Sequence, residues 1–106
     1  MARILIVDDE QSIRETLREI LEYEGYEIEE AQDGEKAFDL IKKFNYDAVL
    51  ADIKMPKLDG LELLEKAKEI APELPFIMIS GHGTTETAVE ATKKGAFDFI
   101  NKPPDL

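Results

Sequence analysis

Apolar runs that stop at a polar, chemically reactive residue restrict the fold of this chain more than any other feature. Ile4-Leu5-Ile6-Val7 runs into Asp8-Asp9-Glu10, and Tyr46-Asp47-Ala48-Val49-Leu50-Ala51 delivers Asp52. Phe76-Ile77-Met78-Ile79 ends in Ser80, and Phe97-Asp98-Phe99-Ile100 leads into Asn101-Lys102. Short apolar runs bounded by turn residues read as buried strands. Tyr26-Glu27-Ile28-Glu29 alternates instead, so it reads as a half-exposed edge strand.

Between these runs the apolar residues recur at helical spacing. The first stripe is Ile13, Leu17, Ile20 and Leu21, with Gly25 as its stop. Asp33 is placed to cap a second helix facing the core through Ala37, Phe38, Ile41 and Phe44. Asp59 is placed to cap a third, whose face reads as Leu61, Leu64, Ala67 and Ile70 or Ala71. A fourth, from about Thr84 to Lys94, carries only Ala88, Val89, Ala91 and Thr92 inward, so its hold on the core is expected to be weak. Strand and helix alternate five times with no last helix. That order predicts right-handed crossovers and a parallel sheet covered on both faces. Residues 1–106 read as one domain that stops before a fifth helix, leaving one sheet face short of cover.

Open α/β sheets bind ligands outside the carboxyl ends of their strands. Here those ends carry Asp8-Asp9, Asp52, Ser80 and Lys102. Any one is ordinary: acids cap helices, a strand can end in serine, and lysines are usually solvated. Together they suit phosphoryl transfer to a carboxylate. Three carboxylates in one cleft call for a cation, and Mg²⁺ prefers a few carboxylates with phosphate oxygens and water. Asp52 is the candidate nucleophile. Lysine and metal would neutralise the transferring group, and the serine hydroxyl would donate to it. His82, between two glycines with no second His or Cys, reads as an exposed loop residue rather than a zinc ligand.

Composition removes other classes. There is no cysteine, which excludes disulfides and thiolate metal sites. No apolar stretch is long enough to cross a bilayer, and a cytoplasmic location is expected. The net charge of −11 argues against this segment gripping nucleic acid.

Val7-Asp8-Asp9-Glu10, Asp52-Ile53-Lys54-Met55-Pro56 with Asp59-Gly60, Ser80-Gly81-His82 and Lys102-Pro103 resemble the signature of response-regulator receiver domains, across nearly the whole chain. The stretches from Ser80 to Thr84 and from Gly95 to Ile100 are similar to the nitrogen-regulatory, sigma-54-dependent subfamily. The resemblance implies a flavodoxin-like, doubly wound five-stranded sheet in the order 2-1-3-4-5. It implies Asp52 as phosphoacceptor, with Mg²⁺ held by Asp8, Asp9, Asp52 and the backbone carbonyl of Lys54. Ser80 and Lys102 would hold the phosphoryl group, Ser80 and Phe99 would act as the switch, and Lys54 and His82 would tune phosphoryl lifetime. The implied partners are a sensor histidine kinase, a linked effector controlling transcription, and a second copy through helix four and strand five. Such a domain is not a turnover enzyme. Two other readings compete. An aspartate-dependent Mg²⁺ phosphatase shares the chemistry but needs Asp-x-Asp after the first strand. A flavodoxin-like binding module needs a phosphate-cradling loop where Asp8-Asp9 stand.

Overall fold

The computed structural model describes residues 1–81 and 85–101. Its elements run β1 Arg3–Val7, α1 Gln11–Tyr23, β2 Glu27–Ala31, α2 Gly34–Lys43, β3 Ala48–Asp52, α3 Gly60–Ile70, β4 Phe76–Ser80, α4 Thr85–Lys93 and β5 Asp98–Asn101. All strand pairs are parallel, in the order β2-β1-β3-β4-β5. The expected flavodoxin-like sheet is therefore the observed one.

Parallel strands buried on both faces need apolar residues on both sides. In β1, Ile4 and Ile6 face one cluster with Leu17 of α1, Ile28 and Ile79. Leu5 and Val7 face the other, with Ala37 and Ile41 of α2 and Leu63, Leu64 and Ala67 of α3. Ala91 of α4 joins that second cluster. Among the described residues α1 thus covers one face while α2, α3 and α4 cover the other. Exposed apolar surface collects at β5, where Phe97 is 76% and Ile100 38% exposed, and not on β1, whose Ile4 and Ile6 are buried.

Several boundaries and faces differ from the sequence expectation. β2 starts at Glu27 and continues to Ala31, because its ladder with β1 runs from Arg3↔Glu27 to Val7↔Ala31 and leaves Tyr26 outside. β5 starts at Asp98 and not Phe97, since Ile77↔Asp98 opens its pairing with β4. α3 buries Leu63 and exposes Ile70. The expected face counted from Leu61, whereas the helix is oriented by Gly60, so positions 60, 63, 64 and 67 point inward. Phe44 ends α2 in extended backbone and is exposed, as are Ile20 and Val89.

The caps are as expected. Asp59 accepts from the Glu62 N–H at 2.9 Å while Glu62 reaches back to the Asp59 N–H, a closed capping box. Asp33 accepts from the Lys36 N–H at 2.8 Å. Gly25 takes a φ of 95° just after α1, in the left-handed region that favours glycine.

Leu63→Ala should lower unfolding stability by about 2–5 kcal/mol, the range for a fully buried leucine. Ile70→Ala, on the same helix but half exposed, should cost no more than roughly 0.5 kcal/mol. Urea unfolding of the two variants decides between the observed face and the one counted from Leu61.

Candidate functional site

The order β2-β1-β3 means that the chain leaves β1 to one side and returns to the other. Helices α1 and α2 diverge there onto opposite faces, and a crevice opens between the carboxyl ends of β1 and β3. Val7 pairs with Ala51, so Asp8 and Asp52 are the next residues on neighbouring strands. Asp52 in turn pairs with Ile79, which puts Ser80 one step further on β4. Ser80 pairs with Asn101 of β5. Asp8, Asp52 and Ser80 are all buried, at 2%, 7% and 3% exposure. Asp9 and Lys54 are exposed, and Phe99 is half-buried against the core. Lys102 and His82, expected in this site, lie outside the described residues, as does Pro103.

Each carboxylate is oriented by its own backbone. Asp8 Oδ1 accepts from the Glu10 N–H at 2.9 Å, bending the chain from β1 toward α1. Arg14 donates to the Asp8 carbonyl at 2.7 Å and to Glu30 at 3.1 Å, tying that corner to β2. Arg18 also grips Glu30, which raises its guanidinium further above the ordinary arginine value. Asp52 Oδ1 accepts from the Ile53 N–H at 2.9 Å. The start of α3 presses on the Asp52 backbone: Gly60 donates to the Ile53 carbonyl at 2.7 Å, and a Cβ on Gly60 would stand 2.1 Å from the Asp52 carbonyl oxygen. Only glycine allows that approach.

The acids after β1 are not spent on capping. The N-cap of α1 is Glu10, and it makes no side-chain cap bond. Asp8, Asp9 and Glu10 can bring one carboxylate oxygen each within 4.8 Å of one another. Such a set of hard oxygen donors fits a small divalent cation. Glu10 was not among the expected ligands, although its place in the acidic run was the available signal. The Arg14 contact had none, since it depends on how α1 crosses β2.

Fold and cleft define a flavodoxin-like α/β module with acidic residues at its topological switch point. The chain belongs to the response regulator receiver domain family, whose model matches residues 4–106. It is 41% identical over 101 residues to the response regulator MprA of Mycolicibacterium vanbaalenii, an alignment spanning 95% of this chain and 44% of that protein. It is 49% identical over 102 residues to the nitrogen assimilation regulatory protein NtrX of Azorhizobium caulinodans, spanning 94% and 22%. The chain thus spans less than half the length of these relatives. Among solved structures, the CheY-like receiver domain protein of Methanospirillum hungatei superposes with a TM-score of 0.94 at 39% identity, covering 99% of this chain and 84% of that one. A Burkholderia pseudomallei response regulator, described with a phosphorylated aspartic acid, a calcium ion and citrate, has a TM-score of 0.92 at 26% identity, covering 99% and 62%.

Gly60→Ala should destabilise the fold by about 1–3 kcal/mol, because the added methyl meets backbone and not a movable side chain. Denaturant titration beside a neutral helix-surface change such as Glu65→Ala measures it.

Proposed function

We propose that this domain is a phosphoacceptor: Asp52 takes a phosphoryl group from a sensor histidine kinase, and the resulting change at α4 and β5 is passed to an effector controlling transcription. The observation that carries this reading is a buried Asp52 carboxylate next to a buried Asp8 at the switch point, with Ser80 one strand away. An Asp52 oxygen attacks phosphorus, the donor's P–N bond breaks, and the departing imidazole takes up a proton. Ser80 and Lys102 hold the phosphoryl oxygens. Asp8, Asp9, Asp52 and the Lys54 backbone carbonyl would hold Mg²⁺, with Glu10 beside them. That ion supplies positive charge against the transferring group. The phosphorylated aspartate and calcium ion described for the Burkholderia pseudomallei relative support the same chemistry at the same kind of site.

The domain accepts one phosphoryl group per chain and does not act as a turnover phosphatase. It forms one unit over residues 1–106. The resemblance to NtrX supports a sigma-54-dependent effector in the full protein. Its charge of −11 leaves nucleic acid contact to other segments. It works in the cytoplasm, where its kinase partner's phosphohistidine is presented. Phosphorylation adds roughly −1.5 to −2 charges at Asp52. Ser80 moves toward them, Phe99 fills the space released, and α4 shifts, since Ala91 is its one buried residue. Exposed Val89, Phe97 and Ile100 give the same surface an apolar contact area for a second copy.

Incubation with acetyl phosphate and Mg²⁺ should add one phosphate to the intact mass, and Asp52→Asn should add none. Equal labelling of Asp52→Asn, or steady hydrolysis of a generic phosphate ester, would remove this reading. Mg²⁺ should also raise the melting temperature of the unphosphorylated domain, because it binds only the folded acidic site. Asp8→Asn should abolish that rise. Identical melting in chelator and in saturating Mg²⁺ would rule out the metal.

A further inference from the structure

The segment joining β3 to α3, residues 53–59, is pinned at its base and again near its crest. At the base Gly60 donates to the Ile53 carbonyl at 2.7 Å and lies against the Asp52 carbonyl. Near the crest, a Cβ on Gly34 would stand 2.1 Å from the Leu58 carbonyl oxygen. The first turn of α2 is thus in backbone contact with this segment. Between the two pins stands Lys57 with φ 70°, the one non-glycine residue with positive φ among those described. A side chain there is strained, and such strain persists only where the surroundings over-determine it.

Those surroundings are specific. Lys57 Nζ lies 3.8 Å from Asp33 Oδ2, while Asp33 Oδ1 holds the Lys36 N–H. Leu58, Met55 and Ile53 all pack on the main core. The left-handed residue turns the chain so that Leu58 can meet Gly34 while Asp59 still caps α3. Lys54 lies in this segment, two residues beyond Asp52.

We propose that Lys57 is a positioning residue for the chemistry at Asp52: its left-handed turn, docked on Asp33-Gly34, fixes the segment that carries Lys54 beside the acidic cleft. This rests on the reading of Asp52 as phosphoacceptor. The side-chain charge matters little, because the Lys57–Asp33 pair is long and half exposed. The backbone turn and the glycine that receives it do the positioning.

The test uses the chain with Lys57→Gly, Lys57→Val and Gly34→Ala. Glycine accepts the turn, so Lys57→Gly should melt at or above the parent and keep its phosphorylation rate with acetyl phosphate. Valine resists positive φ, so Lys57→Val should slow labelling about 10-fold or more and raise the Mg²⁺ needed for half-maximal rate. Gly34→Ala should do the same from the opposite side of the contact. In metal-free buffer, both slow variants should exchange the Gly60 amide faster than the parent. Should Gly34→Ala not fold, Lys57→Val carries the test alone. Parental labelling, Mg²⁺ requirement and amide exchange in Lys57→Val would overturn the proposal and leave Asp52 untouched. A lower melting temperature with an unchanged Mg²⁺ requirement would reduce Lys57 to a packing role and overturn it as well. A parent chain that takes no phosphate overturns the reading of Asp52, and this proposal with it.

Discussion

The parallel pairing of β1 with β3 is the constraint on which the site depends. It sets Val7 against Ala51, so the residue after each, Asp8 and Asp52, emerges at the same level of the sheet. A one-residue slip would send every side chain of a strand to the opposite face. The register is held because both strands are apolar on both sides and each side meets a different helix layer. The acidic cleft is thus a by-product of core packing. Its carboxylates are buried because the strands that carry them are central, and central because their residues are apolar.

Burial of like charge has to be offset locally. Backbone N–H groups of Glu10 and Ile53 take up one oxygen of Asp8 and of Asp52. Arg14 engages the Asp8 carbonyl, so its charge stands behind the corner and not in the cleft. The open side is left to Asp9 and Glu10. An unpaired acidic mouth of this kind favours a cation and, with one bound, a phosphoryl group. Stability and chemistry therefore pull in opposite directions at the same residues, as is usual where function sits.

Glycine divides what the chain makes visible from what it hides. Asp33-Gly34 and Asp59-Gly60 both read as helix starts, and both are capped that way. The sequence pattern does not reveal that Gly60 lies against the Asp52 carbonyl or that Gly34 lies against Leu58. Those contacts join segments distant along the chain. Gly60 also turns α3 so that Leu63 is buried, which a count of apolar spacing from Leu61 misses. Lys57 offers no local signal at all, since lysine has no preference for positive φ.

Local chemistry alone determined the element order, the parallel sheet and the identity of the acids and hydroxyl at its carboxyl edge. Apolar runs, helical stripes and caps act over a few residues and are written directly in the chain. Tertiary structure decided which helix face is inside, where β2 and β5 begin, and that Glu10 joins Asp8 and Asp9 while Arg14 buttresses the corner. It also decided that the β3–α3 segment is strained and docked on α2. Those features depend on long-range register and backbone approach, where the partner is chosen by packing and not by neighbours in sequence.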